Sequence, residues 1–204
     1  MTRVDDELHI EEKLVVCFDM CSSSAILEDL LATDNLRSLR DLLISTKDFI
    51  RLKSHIPGLL LYKFIGDGWI LLFPPRTSGS ALLDFLTRLS KRFSKGLANS
   101  VVPRLQSTPD VMGLTFGVDK GRLVRTRMME QVEYIGRALN VASRLQGAIK
   151  DKDHNPAYKV LISKHAYTDL AIPVEDYSVE PVTRKLRNIQ GGKRLEFMKL
   201  KLRV

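Results

Sequence analysis

Two aspartates occupy positions from which carboxylates commonly bind metal ions. Asp19 follows the apolar run 14–18, and Asp67 lies between Gly66 and Gly68. Mg²⁺ and Mn²⁺ are typically held by one or two carboxylates together with substrate phosphates, and paired ions can stabilise the attacking and leaving oxygens of a displacement. Each aspartate alone is equally typical of a helix cap or a turn. Together they predict a divalent-metal site, because a small antiparallel sheet can place a strand end beside a hairpin turn.

A second polar pair is suited to phosphoryl chemistry. Asn140 and Arg144 are one helical turn apart in a segment with helical apolar spacing, so they share a face. A guanidinium there can donate several hydrogen bonds to phosphoryl oxygens as charge builds up on them. Asn140 can orient a ribose. From the residues alone, an exposed arginine beside a mid-helix asparagine is equally ordinary.

The apolar periodicity predicts the elements that position these residues. Alternating or β-branched runs predict strands, and apolar residues at helical spacing predict helices. The predicted order is strand 14–18, helices 25–31 and 34–56, a hairpin of 59–65 and 69–73, helix 80–95, a second hairpin of 111–118 and 122–128, helix 135–149, and strands 159–163, 177–188 and 194–202. This order is typical of an α+β domain with helices packed on a mainly antiparallel sheet.

Composition limits the classes of protein to consider. The 204 residues are 44% hydrophobic and carry a net charge of +8, so we expect one domain over 1–204, with 1–12 as a flexible N-terminus. No run of about 18 apolar residues occurs and the N-terminus is unlike a secretory signal, which predicts a cytoplasmic protein with no membrane partner. The charge suits nucleotide phosphates, and without interleaved aromatic residues no nucleic-acid partner is expected. Cys17 and Cys21 are expected to be free and buried.

Three segments resemble motifs of the class III nucleotidyl cyclases. They are Phe18 to Ser24 (FDMCSSS), Lys63 to Gly68 (KFIGDG) and Gly136 to Arg144 (GRALNVASR). The resemblance implies a ferredoxin-like class III cyclase fold and a reaction that converts a nucleoside triphosphate to a 3′,5′-cyclic mononucleotide and pyrophosphate. It also implies two Mn²⁺ or Mg²⁺ ions per site, bound by Asp19, Asp67 and the carbonyl of Met20.

The same resemblance implies roles for further residues. Asn140 and Arg144 would act from the partner subunit of a homodimer with shared active sites. Independently of the resemblance, the amides of Ser22, Ser23 and Ser24 at a predicted helix N-terminus are suited to bind the triphosphate, although these serines are also typical N-caps. Lys193 is the candidate for a further phosphate contact, with an ordinary surface lysine as the alternative. The chain departs from the family pattern at Thr115, where many members carry an arginine, and around Lys193, where the match to the family's phosphate-binding lysine is poor.

Lys63 and Glu133 match the two residues that read the base in this family. A donor and an acceptor can serve any of the four bases, so size must discriminate between them. Glu133 is longer than its usual counterpart in adenylyl cyclases, and Tyr62, Phe64, Trp69 and Tyr134 add bulk, although large aromatic residues also commonly form core. This favours a pyrimidine, UTP before CTP.

The chain also resembles the compact pyrimidine cyclases of bacterial Pycsar antiphage systems, which implies a second messenger read by a separate cyclic-nucleotide-binding effector. The alternatives are an adenylyl cyclase that uses ATP, a module that binds nucleotide without turnover, and an RNA-binding α+β domain.

Overall fold

The computed structural model describes residues 9–53, 55–128, 130–152, 155–172 and 177–204. Eight strands and five α-helices make up these parts of the chain. The strands are β1 (His9–Met20), β2 (Leu60–Ile65), β3 (Gly68–Phe73), β4 (Leu114–Met128), β5 (Gln131–Ile135), β6 (Lys159–Ser163), β7 (Val179–Lys185) and β8 (Arg194–Lys201). The helices are α1 (Ser23–Ala32), α2 (Leu36–Lys53), α3 (Gly79–Gly96), α4 (Arg137–Lys152) and α5 (Lys164–Leu170).

The strands form a single sheet in the order β2-β3-β1-β4-β6-β8-β7, with β5 paired to β4. The pairings are antiparallel except for that of β4 with β6. Strand β1 therefore lies inside the sheet, with β3 on one side and β4 on the other. The predicted α+β class with a mainly antiparallel sheet is confirmed.

Residues 14–18 of β1 are buried on both faces of the sheet because they alternate between two cores. Leu14, Val16 and Phe18 join the larger core, which α1, α2, α3 and α5 cover. Val15 and Cys17 point to the opposite face, which α4 covers with Ala138 and Ala142 among others. The near-continuous apolar run of this strand is typical of such two-sided burial. Asp19 follows Cys17 on the face that α4 covers.

The predicted second hairpin is wrong in its position. Strand β4 runs without interruption through Asp119, Lys120 and Gly121, which we had predicted to be the turn, and the observed hairpin joins β4 to β5. Asp119 can lie within this buried part of the strand because Ser163 of β6 donates a hydrogen bond to its carboxylate at 2.5 Å. Strand β1 pairs with β4 through these three residues, so the segment continues as a strand despite its turn-like composition.

Other predictions needed smaller corrections. His9 to Glu12 form the start of β1, paired with β4, so the expected flexible N-terminus does not include them, and residues 1–8 lie outside the described residues. Strand β5 and helix α5 were not predicted. Cys17 and Cys21 are free and buried, as expected. Among the described residues no helix is both long and apolar enough to span a bilayer.

Candidate active site

Asp19 lies near the end of β1, next to the tip of the β2–β3 hairpin. The last pair between β1 and β3 is Phe18 with Trp69, so Asp19 lies across from Gly68. A Cβ atom on Gly68 would come within 2.3 Å of the carbonyl oxygen of Phe18 and 3.0 Å of Oδ1 of Asp19. This close approach requires glycine and fixes the hairpin against the Asp19 carboxylate.

Asp67 lies in the turn of that hairpin. Ile65 pairs with Gly68, which leaves Gly66 and Asp67 as a two-residue turn, and Gly66 adopts a left-handed φ of 66°. A glycine with positive φ at the first turn position fits a type II′ hairpin. The Oδ2 atom of Asp67 is buried and has no hydrogen-bond partner among the described residues. A buried carboxylate oxygen without a partner is costly, so this atom is suited to a ligand.

The two aspartates line one cavity, as the sequence predicted. The cavity has a volume of about 380 Å³, and its wall combines residues of β1, the β2–β3 hairpin and α4. The lining residues are Cys17, Phe18, Asp19, Ile65, Gly66, Asp67, Gly68, Trp69, Ile70, Ser143 and Gln146.

The donor set of this cavity suits a hard cation shared with a substrate. Within the described parts of the chain, no three His, Cys, Asp or Glu side chains cluster closely enough to hold a metal ion by themselves. Two carboxylates would leave most coordination positions to phosphate oxygens and water, which is how Mg²⁺ is usually bound. Asp19 and Asp67 therefore fit Mg²⁺ or Mn²⁺ delivered with a triphosphate, and not a preformed metal centre.

Helix α4 contributes Ser143 and Gln146 to the cavity, and neither was predicted from the sequence to be a site residue. Gln146 Nε2 donates to Thr115 Oγ1 at 2.8 Å, and the Thr115 hydroxyl lies 3.4 Å from the carbonyl oxygen of Asp19, to which it donates. Their positions in the helix could have been a signal, since Ser143 and Gln146 are three residues apart on the stripe beside Asn140 and Arg144.

Asn140 and Arg144 lie together on the exposed face of α4. The opposite face of this helix packs on the sheet through Ala138, Ala142 and Leu145. Neither Asn140 nor Arg144 lines the cavity that contains Asp19 and Asp67 of the same chain. Within one chain the structure thus brings the two aspartates together but leaves the Asn140 and Arg144 side chains directed outward.

The two predicted base-reading residues form an ion pair. Lys63 Nζ lies 2.6 Å from Glu133 Oε2, and the Tyr62 hydroxyl donates to the same carboxylate oxygen. The register between β2 and β3 shifts between Leu61 and Lys63, so Tyr62 is the extra residue of a β-bulge. A bulge re-aims side chains, and here the neighbouring Tyr62 and Lys63 both reach Glu133.

This cluster stays charged at neutral pH. The Lys63 ammonium, and secondarily the Tyr62 hydroxyl, hold the pKa of Glu133 below its ordinary value. The hydrogen bond to Glu133 raises the pKa of Lys63. The Tyr62 ring packs edge-on against Tyr134 at 5.3 Å, and its hydroxyl accepts a hydrogen bond from the Tyr134 amide at 2.9 Å. The cluster offers one ionised acceptor and one ionised donor beside a fixed aromatic ring.

The residues proposed for phosphate binding lie away from the cavity wall. Ser22, Ser23 and Ser24 are at the start of α1 and are not among the lining residues. Ser22 occupies the N-cap position in a left-handed conformation, but its hydroxyl donates to the carbonyl of Val111 at 2.7 Å instead of capping the helix. Met20 is buried, and Lys193 is exposed just before β8. Their predicted roles stay predictions.

Comparison with known proteins identifies the fold. No protein-family model and no curated protein sequence matches the chain. Among solved structures, the guanylyl cyclase Cya2 superposes with a TM-score of 0.71 at 14% identity, over 95% of this chain and 93% of that one. The adenylyl cyclase CyaB from P. aeruginosa superposes with a TM-score of 0.65 at 20% identity, over 95% and 96% of the two chains.

The guanylate cyclase domain of RhGC from Catenaria anguillulae, solved in complex with GTP, gives a TM-score of 0.64 at 14% identity, over 96% of this chain and all (100%) of that one. The chain therefore has the fold of class III adenylyl and guanylyl cyclase catalytic domains. Identities this low establish the fold alone.

Proposed function

We propose that the protein is a metal-dependent nucleotidyl cyclase, which converts a nucleoside triphosphate to a 3′,5′-cyclic mononucleotide and pyrophosphate. The observation that carries the proposal is the cavity shared by Asp19 and Asp67, in which Oδ2 of Asp67 is buried without a partner among the described residues. The likeness to adenylyl and guanylyl cyclase domains supports it.

In this reaction the ribose 3′-oxygen attacks the α-phosphorus, the new O–P bond forms as the bond to the β-phosphate oxygen breaks, and pyrophosphate leaves. Mg²⁺ or Mn²⁺ bound at the site would favour transfer of the 3′-hydroxyl proton to water and neutralise charge on the triphosphate. The carboxylates of Asp19 and Asp67 would bind the metal ion. They lie close together because Gly68, having no side chain, lets the hairpin approach β1. Ser143 and Gln146 close the wall on the side of α4.

The outward direction of Asn140 and Arg144 favours a homodimer with shared sites. Arg144 lies on the exposed face of α4 and does not line the cavity of its own chain, and a second copy could present that face to the cavity. Its guanidinium would then donate hydrogen bonds to the α-phosphoryl oxygens as they gain charge. Asn140, one turn earlier, would orient the ribose.

Complementation between two inactive variants tests the shared site. Asp67→Ala removes a metal ligand and Arg144→Ala removes the phosphoryl donor, so each homodimer should be inactive. A mixture of the two chains should regain activity, because a heterodimer contains one site built only from unaltered residues. A mixture that stays inactive after subunit exchange has been verified contradicts the shared site.

For the base, we propose a pyrimidine, with UTP before CTP. Glu133 is an ionised acceptor and Lys63 a donor, a pair that can match the ring N–H and carbonyl of uracil. The Tyr62 ring stands beside them, held by Tyr134 and by Glu133. The resemblance to pyrimidine cyclases of antiphage systems supports this choice and a product that acts on a separate effector.

Incubation of the purified protein with each of the four ribonucleoside triphosphates and Mn²⁺, followed by identification of the products, tests the activity and the base together. We expect cyclic UMP as the main product. Dominant cyclic AMP would replace the pyrimidine by an adenine substrate and leave the cyclase proposal intact. No cyclic product from any of the four would contradict the cyclase.

A further inference from the structure

Asp19 is connected to α4 through two polar side chains that have no assigned role. Thr115 lies directly across from Asp19 in the pairing of β1 with β4, and it is fully buried. Its hydroxyl donates to the Asp19 carbonyl oxygen at 3.4 Å and accepts from Gln146 of α4 at 2.8 Å. The three residues thus link β1, β4 and α4, the helix that also carries Asn140 and Arg144.

The chemistry of the groups fixes the direction of this link. A carbonyl oxygen can only accept a hydrogen bond, so the Thr115 hydroxyl is the donor in its 3.4 Å contact with Asp19. The Thr115 oxygen must then accept, which requires the amide NH₂ of Gln146 to face it. A glutamate at position 146 could not replace this glutamine when ionised, because a carboxylate has no proton to donate.

The backbone around Gln146 is held closely against β4. A Cβ atom on Gly117 would come within 2.0 Å of the carbonyl oxygen of Ala142 and 2.4 Å of the amide nitrogen of Gln146. The helix therefore contacts the strand without an intervening side chain at the turn that carries Gln146. On the opposite side of Asp19, Gly68 is pressed against the carbonyl of Phe18 and the Asp19 carboxylate. Asp19 is thus held from both sides.

We propose that Gln146 and Thr115 are positioning residues for the metal-binding aspartate: they fix the backbone at Asp19 and so set where its carboxylate points into the cavity. The proposal rests on the proposed function in so far as Asp19 binds the metal. Because Gln146 is on the same helix as Asn140 and Arg144, the link also ties the position of that helix to the position of the metal ligand.

The first test is binding of Mn²⁺ to the purified protein in the presence of 3′-deoxy-UTP, which cannot cyclise because it lacks the 3′-hydroxyl group, measured by electron paramagnetic resonance. Gln146→Leu and Thr115→Val each break the link, and both should weaken Mn²⁺ binding about 10-fold, the lower end of what loss of an outer-shell partner costs. Gln106→Leu is the matched control, since Gln106 is exposed and far from the cavity in sequence, and its affinity should equal that of the wild type.

The second test separates positioning from general damage. In the cyclase assay, Gln146→Leu should shift the Mn²⁺ dependence to higher concentration and recover most of kcat at saturating Mn²⁺, which a misfolded variant would not do. The double variant with Thr115→Val should lose no more Mn²⁺ affinity than either single variant, because the two residues act as one unit. If Gln146→Leu fails to fold, the same measurements are made on Thr115→Val, because valine has nearly the same shape as threonine.

The outcomes separate this proposal from the proposed function. Wild-type Mn²⁺ affinity in folded Gln146→Leu or Thr115→Val overturns the link, whatever the protein catalyses. Weakened affinity in the variants together with no cyclic product from the wild type supports the link and rejects the cyclase. A wild type that binds no Mn²⁺ rejects the metal site and the link with it.

Discussion

The contact between α4 and β4 predicts opposite effects for two glycine substitutions. Gly117 is a strand residue of β4 whose missing side chain lets α4 approach, and an added Cβ would meet backbone atoms of Ala142 and Gln146 at 2.0 and 2.4 Å. Gly147 lies one residue further along α4, and an added Cβ there would meet nothing within 4 Å. Both substitutions to alanine add one methyl group to the same helix–strand pair.

The expected magnitudes follow from these surroundings. Backbone atoms of a packed helix cannot rotate away, so Gly117→Ala should cost about 3 kcal/mol, the upper end of the usual cost of overpacking. Gly147→Ala removes a glycine from a helix interior and should stabilise the fold by about 1 kcal/mol. For a chain of this size, 1 kcal/mol corresponds to roughly 2–4 °C in Tm. Gly117→Ala should therefore lower Tm by roughly 6–12 °C, and Gly147→Ala should raise it by roughly 2–4 °C.

Thermal unfolding of the two variants beside the wild type checks both signs in one experiment. Urea unfolding gives the same comparison at constant temperature, and an unchanged m-value would show that the denatured state is not the cause. Equal Tm values for Gly117→Ala and the wild type would refute the reasoning, because α4 would then have room that the structure does not show.

Three further predictions concern the site and the buried polar residues. Gly68→Ala should weaken Mn²⁺ binding at least 10-fold, because the added Cβ would displace the Phe18 carbonyl and the Asp19 carboxylate. Titration with Mn²⁺ checks this prediction, and an unchanged affinity would contradict the close contact of Gly68 with Asp19. Tyr62→Phe removes a hydrogen bond to the ionised Glu133 and should reduce kcat/KM for the preferred triphosphate by about 10-fold or more. If the variant and the wild type showed the same selectivity among the four triphosphates, Tyr62 would have no role in base selection. Burial raises the pKa of Asp119 above its ordinary 3.8, so the folded state binds the carboxyl proton of Asp119 more tightly than the unfolded state. The resulting stability is present below the ordinary pKa and is lost as pH rises through the folded pKa. The Tm of Asp119→Asn minus that of the wild type should therefore increase from pH 4 upward, and a difference that does not change with pH would contradict this prediction.

The sequence was sufficient for the parts of the site that are local. Asp67 between two glycines predicts a tight hairpin turn, and Asn140 with Arg144 predicts one helix face, because both patterns depend on residues within one element. The apolar run before Asp19 likewise predicted a buried strand. These features agree with the structure because the backbone conformation follows from neighbouring residues.

Features that depend on distant partners could not be predicted in the same way. Asp119 to Gly121 has the composition of a turn, yet β4 continues through it because β1 pairs along it and because Ser163, 44 residues later in the chain, donates a hydrogen bond to the Asp119 carboxylate. The bulge that directs both Tyr62 and Lys63 to Glu133 depends on the register with β3. The link from Gln146 through Thr115 to Asp19 spans three elements. In each case the deciding contact is made by a residue that no local pattern connects to its partner.

The most direct test of the metal-dependent chemistry is a product assay on Asp67→Ala beside the wild type, with Mn²⁺ and the triphosphate that the wild type uses best. Asp67 is in a turn and lines the cavity, and its buried Oδ2 has no partner among the described residues, so its loss should leave the fold intact and Tm little changed. The wild type should release cyclic nucleotide and pyrophosphate in equal amounts, and Asp67→Ala should release neither. Product formation by a folded Asp67→Ala variant at the wild-type rate would contradict the assignment of this cavity as the metal and nucleotide site.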